Sequence, residues 1–263
     1  MDWIYDIPRW GGAPLFAVVF VGFTWLGLVL IRPWVRRYAA DHPDWNALIN
    51  AIFAAFAVYF GVTLALIAVT SYQSFAAVNQ GVGREAASLG TLYRAVSNYP
   101  EPIQGELQTM LRDYTRYVIE EAWPAQKRGV IPAGGTVRAT AFEEKLLSFQ
   151  PQTRAEEILH AETLREFSEF SDDRQQRLES ITTGLPAVLW FLVAAGAVVN
   201  AVLTCLFDVK RLSVHLLLAG LMALFVSQMV FMIVAVDKPF RGGVSISSDA
   251  FQVVQRSLME EDR

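Results

Sequence analysis

Cysteine occurs once in these 263 residues, at Cys205. One thiol forms no disulfide framework and leaves no cysteine spacing that could hold a metal. Lying in an apolar run, Cys205 reads as a small buried apolar residue. Charge is also scarce: Asp, Glu, Lys and Arg make up 18% of the chain, and hydrophobic residues 53%. Ordinary globular chains carry about 25% charged residues, so the composition points to a membrane protein. The net charge of −4 argues against nucleic acid as a partner, because binding a phosphate backbone needs an excess of Lys and Arg.

The motifs of common enzyme chemistry are missing as well. No glycine-rich phosphate loop follows a strand, no HExxH or CxxC is present, and no serine sits in a GxSxG context. His42, His160 and His215 are scattered over a loop, a polar region and an apolar run. The acid pairs Glu120-Glu121, Glu143-Glu144 and Asp172-Asp173 are adjacent in sequence, and adjacent residues do not share a helix face. The expectation is a protein that is not an enzyme, with no cofactor and no metal ligand. The start, MDWIYDIPRWGGAP, carries Asp2 and Asp6 where a secretory signal would be basic, so the apolar run after it is expected to be retained.

What is abundant is long apolar sequence. Four segments match the roughly 20 apolar residues that span a bilayer: Ala13 to Ile31, Ala47 to Thr70, Leu185 to Phe207 and Leu212 to Val236. None contains Asp, Glu, Lys or Arg. His215, near the start of the fourth, can reach the interface. Short basic connections, RPWVRRYAADHPDW and DVKR, join the spans as two hairpins. The region between hairpins is polar and rich in good helix formers. One helix continues from the second span through Tyr93. Another runs from Gln104 to Glu121, with Leu107, Leu111, Tyr114, Val118 and Ile119 on one face and Pro124 ending it. Gly129 to Val137 reads as a loop. A last helix, about Thr153 to Ile181, carries Ile158, Leu159, Leu164, Phe167 and Phe170 at helical spacing. Amphipathic helices of this kind pack on one another. After the fourth span, Ser245 to Arg263 reads as a short amphipathic helix capped by Ser247 or Ser248.

The fold expected is therefore an all-α membrane protein: four transmembrane helices in two hairpins, with a helical bundle inserted between helices 2 and 3. Its parts are an N-terminal hairpin (1–70), a polar helical region (71–183), a C-terminal hairpin (184–237) and a turn with a short C-terminal helix (238–263). Basic residues are denser in the short connections (Arg32, Arg36, Arg37, Lys210, Arg211), which by charge favours those connections in the cytoplasm.

Several stretches resemble a known family: SYQSFAAVNQ, REAASLGTLYRAVSNYPEP, DYTRYVIEEAWPAQKRG, GLPAVLWFLVAAGAVVNAVLTCLF and VDKPFRGGVSISSDAF. In that order, from about Ala47 to Phe251, they resemble the bestrophin-like domain-of-unknown-function family of membrane proteins. The blocks Glu121 to Pro124 and DKPFRGG are the most specific. The resemblance implies a distant similarity to bestrophins, which are pentameric anion-selective channels with the helical region and termini in the cytoplasm. The implied partners are the lipid bilayer, further copies of the chain in a homo-oligomer of five, and ions if it is a channel. In bestrophins an acidic run after the fourth span helps bind calcium. Here that stretch, GGVSISSDAF, has only Asp249 acidic, whereas calcium takes 6–8 oxygen ligands. No metal ligand carries over.

Two candidate sites follow. On the second span, Asn50, Phe53, Phe56, Phe60 and Thr63 lie on one broad helical face. In a ring of subunits this face would line a pore, with polar ends around a dry phenylalanine constriction. Alternatively the rings face lipid or pack inside the protomer. The second candidate is the turn VDKPFRGGV, where Asp237, Pro239, Phe240, Gly242 and Gly243 end the fourth span. Pro239 stops a helix, and the glycines permit a close backbone approach. The turn is either a stop at the membrane surface or a docking turn that folds the C-terminal helix onto the bundle or a neighbour. Two functions remain open: an oligomeric ion channel, probed by conduction, or a membrane-anchored scaffold or sensor that binds a partner through region 71–183.

Overall fold

The computed structural model describes residues 9–242 and 244–260. In chain order the helices are α1 (Arg9–Asp41), α2 (Trp45–Val96), α3 (Ile103–Tyr117), α4 (Trp123–Gln126), α5 (Gly134–Leu147), α6 (Arg154–Thr182), α7 (Ala187–Cys205), α8 (Leu212–Asp237) and α9 (Asp249–Val254). π-helical turns follow α3 (Val118–Ala122) and α9 (Gln255–Met259). No strand occurs among the described residues. Two compact units result: Met1–Ser74 with Gly184–Asp237, and Phe75–Thr183 with Lys238–Arg263.

The first unit holds the apolar spans, and among the described residues four helices are long and apolar enough to cross a membrane. A helix suits this setting because it satisfies every backbone polar group internally. α1 runs on past Arg32 and Pro33, so only residues 42–44 separate it from α2. It packs chiefly on α8 and then on α7, not on α2, its neighbour in sequence. Phe60, Leu64 and Ile67 of α2 meet Val193 of α7 and Val226, Val230 and Ile233 of α8. In lipid, close backbone approach matters more than apolar burial, and Gly196 provides it. A Cβ at Gly196 would collide with the Phe60 ring.

The connections at one end of this unit are tied together. Arg32 donates to the carbonyls of Val209 and Lys210, both at 3.1 Å, and Arg36 to that of Lys210 at 2.8 Å. Asn46 and Asp208 exchange two hydrogen bonds of 2.9 Å. Cys205 is buried with Leu28 and Ala219. His215, in the first turn of α8, is buried too, and its Nε2–H donates to the Thr204 carbonyl at 3.1 Å.

The second unit is a helical bundle. Leu107, Leu111, Tyr114 and Val118 are buried as their spacing predicts, while Ile119 is only partly so. The helix does not end at Pro124. The π turn shifts the register so that Trp123 N–H reaches the Val118 carbonyl, and Pro124 then falls in a first turn, where a missing donor costs nothing. The predicted loop is shorter than expected, because α5 begins inside it at Gly134. On α6, Thr153 caps the helix by accepting from Glu156 N–H at 3.2 Å. Phe167 and Phe170 turn inward, whereas Ile158 is 62% exposed. Tyr99 meets His160 Nδ1 at 2.8 Å, and burial holds the His160 pKa below its ordinary value.

Inside the bundle lies an ion pair. Glu85 of α2 is 0% exposed and pairs with Arg177 of α6, which is also buried. The guanidinium makes a second contact to Glu85 at 3.0 Å, donates to Gln126 Oε1 at 2.7 Å, and lies 5.5 Å from the Trp123 ring centre. Tyr114 donates its hydroxyl to Glu85 at 3.3 Å. Burial, then the nearby Glu85 charge, lifts the Tyr114 pKa well above the usual tyrosine range. Burial opposes the charge on Arg177, yet Glu85 outweighs it and holds the arginine protonated.

A buried pair broken on one side leaves an uncompensated charge. Glu85→Gln is therefore expected to destabilise the bundle by about 3–5 kcal/mol. The double change Glu85→Leu with Arg177→Met is expected to cost less than that single change. Thermal unfolding of both in detergent checks this, and a double variant no more stable than Glu85→Gln would contradict it.

Candidate functional site

The five α2 residues proposed from sequence to line a pore do not share one free face. Asn50 is exposed and Thr63 half-buried, its hydroxyl donating to the Tyr59 carbonyl at 2.8 Å. Phe53 and Phe56 are half-buried. Phe53 meets Phe207 edge to face at 5.8 Å, and Phe56 stacks on Phe60 at 5.3 Å. Phe60 is only 6% exposed, closed over Gly196 of α7. Within one protomer, Phe60 belongs to the core of the membrane unit.

The turn after α8 is built in two steps. Asp237 is buried at the end of α8 and accepts a hydrogen bond from Leu185 N–H at 2.6 Å. This anchors the start of the third span within the first unit. From Lys238 onward the chain belongs to the bundle unit. Lys238 donates to the carbonyls of Thr182 and Thr183 at 3.2 and 3.4 Å. Ile246 N–H closes the turn on the Pro239 carbonyl at 2.8 Å. Gly242 has φ +79°, a conformation that a Cβ disfavours. Gly243 lies outside the described residues.

Phe240, 1% exposed, packs against Trp123 at 5.5 Å, and Trp123 also meets Phe251 at 5.7 Å. The Trp123 indole N–H donates to the Ile246 carbonyl at 3.2 Å. Phe251 and Met259 complete the bundle core, with Val254 and Leu258 packed beside them. The C-terminal helix is shorter than expected: it starts at Asp249, and Ser248 occupies the cap position without a side-chain capping bond. Among the described residues no three His, Cys, Asp or Glu side chains gather as a metal site.

A family described as Bestrophin-like domain matches residues 18–251. The chain belongs to the bestrophin-like family. Solved structures of a bacterial bestrophin homologue from Klebsiella pneumoniae share the fold of this bestrophin-like chain. A leucine-to-threonine variant is 12% identical, with a TM-score of 0.68 over 94% of this chain and 98% of that one. The form phased on zinc is 11% identical, with a TM-score of 0.65 over 92% and 97%. A tyrosine-to-alanine variant is 12% identical, with a TM-score of 0.66 over 92% and 97%. At such identities the likeness concerns the fold alone. No curated protein matches the sequence.

Three pairings in this bestrophin-like structure had no usable signal in the sequence. Glu85 and Arg177 lie far apart in the chain, and nothing local pairs them. Asn46 looks like an interfacial polar residue, and its partner Asp208 is just as distant. Gly196 was visible as a glycine inside an apolar span, a pattern that invites a close contact, but its partner Phe60 was not.

The turn yields a stability prediction. Gly242→Ala places a Cβ in the left-handed region, which costs roughly 1–2 kcal/mol. A lower thermal midpoint is expected, with the helical content of the spans unchanged in circular dichroism.

Proposed function

We propose that this bestrophin-like protein is an oligomeric, anion-conducting membrane channel whose path runs along a shared axis beside the second span. The observation that carries this is the end-to-end likeness to a bacterial bestrophin homologue, 91% or more of this chain in each of its comparisons, the bestrophins being channels. The composition of the spans supports it. They contain no charged side chain within the apolar runs, so one protomer offers no ionic path. Closed rings are the usual homo-oligomers, and five copies is the bestrophin number. In sequence the four spans come as two pairs, with the bundle region inserted between the second and the third. The turn from Asp237 to Gly242 seats the C-terminal segment.

Phe53 and Phe56, half-buried in the protomer, form the dry constriction in this proposal. Asn50 and Thr63 lie at its wetter ends, and Phe60 braces the rings from behind. A hydrophobic constriction of this kind gates by dewetting.

Chloride flux into liposomes, measured beside thermal stability on the same preparation, tests this. Phe53→Ala and Phe56→Ala are expected to raise flux. Phe60→Ala is expected to cost about 3–5 kcal/mol of stability, the range for a truncated core phenylalanine, and to leave flux unchanged. A monodisperse monomer in nanodiscs, or a sealed axis, would instead favour a membrane-anchored scaffold.

On charge alone the short basic connections face the cytoplasm, whereas the bestrophin likeness puts the helical region there. Single cysteines at Arg36 and Gly134, labelled from one side of sealed vesicles, discriminate. Only one of the two is expected to react, and which one reacts gives the orientation. Labelling of both would contradict the four-span topology.

A further inference from the structure

The membrane unit contains a groove of about 260 Å³ between α1, α7 and α8. Its floor is cut by small side chains, Ala194, Ala197 and Ala201 of α7 and Ala223 of α8. Its rim carries Val19, Phe23 and Val198, all more than half exposed. One residue does not suit this lining. Asn200 borders the groove and is 6% exposed, and its carboxamide has no hydrogen-bond partner among the described residues. Its backbone carbonyl accepts from the Thr204 hydroxyl at 2.8 Å, and the side chain takes no part in that bond.

An amide left unpaired in a low-dielectric setting is costly. Asn200 lies five positions before Cys205, the last residue of α7, and so about 8 Å inside the helix end at 1.5 Å per residue. A groove on a membrane span meets lipid rather than water. We infer that the groove binds the head of a neutral, single-chain amphiphile whose planar head carries a carbonyl beside an N–H or O–H. A primary fatty amide fits, and so does a fatty acid in its protonated form. The carboxamide of Asn200 offers one acceptor beside two donors, the complement of such a head. Burial disfavours a charged carboxylate, so an acid enters neutral. The apolar lining on either side of Asn200 suits the chain of such an amphiphile. The inference does not depend on conduction.

The full-length protein in nanodiscs of a single phosphatidylcholine is titrated with dodecanamide. The controls are N,N-dimethyldodecanamide, which lacks the donor, and dodecane. Binding is read by thermal midpoint and by native mass spectrometry. Wild-type protein is expected to gain about 2–4 °C, the shift that a modest stabilisation gives in a chain of this size, with one adduct per protomer. The dimethyl amide and dodecane are expected to give less than half of that shift. Asn200→Leu removes the amide while keeping the bulk. This variant is expected to unfold higher than wild type without ligand, because an unpaired amide open to an apolar groove is replaced by an apolar side chain, and to lose the dodecanamide shift. Equal shifts in the variant, or with dodecane, would overturn the inference. So would dissociation of the oligomer in Asn200→Leu, which would mean that the amide bonds to a second copy.

Discussion

The positive charge on Arg177 has to be balanced inside the helical bundle, and Glu85 is the group that balances it. Both are buried, and the surrounding side chains are arranged around the pair. Tyr114 and Gln126 occupy hydrogen-bonding positions left by the two charges. Trp123 and Phe251 lie within cation–π range of the guanidinium, where the negative faces of aromatic rings are attractive. α2, α6, the end of the α3 helix and the C-terminal helix are thereby referred to one charged centre. Apolar packing alone tolerates sliding of one helix along another. A buried pair does not, because misplacement leaves a charge without its partner.

The membrane unit solves a different problem. Lipid gives no reward for burying a leucine, so position must come from shape and from polar anchors at the ends. Gly196 supplies shape, by letting the Phe60 ring lie against the backbone of α7. The anchors are Asp237, which holds the start of the third span, and the exchange between Asn46 and Asp208. Trp25 adds one more, its indole donating to the Leu216 carbonyl at 2.9 Å. Hydrogen bonds at the helix ends set register where apolar side chains are interchangeable.

The spans and the class of fold were legible because hydropathy and helix propensity are local. The continuation of α2 into the polar region was legible for the same reason, since no proline or glycine pair interrupts it before Val96. Boundaries set by tertiary contact were less so. Pro33 and Pro124 look like helix ends, yet α1 runs through the first and a π turn accommodates the second. Ile158 has helical spacing but no neighbour to bury it. At the candidate sites, the period of α2 put five residues on one broad face without revealing which side of that face another helix covers. α7 covers Phe60, a fact that resides in the pairing of helices and not in either helix alone. The turn was readable as a sharp stop from Pro239 and Gly242. The burial of Phe240 against Trp123, over a hundred positions earlier, was not.

The bundle core takes Phe240, Ile246, Phe251 and Met259 from the last part of the chain and the rest from residues 82–181. A ribosome makes those two sets at different times, with the third and fourth spans synthesised between them. The bundle therefore waits, missing part of its core, while the second pair of spans is inserted into the membrane. During that interval Trp123 and the buried charges lack the rings that later cover them. Completion of the bundle is thus tied to synthesis of the segment that follows the fourth span, and a chain cut short before that segment would leave the apolar surface open to chaperones and proteases.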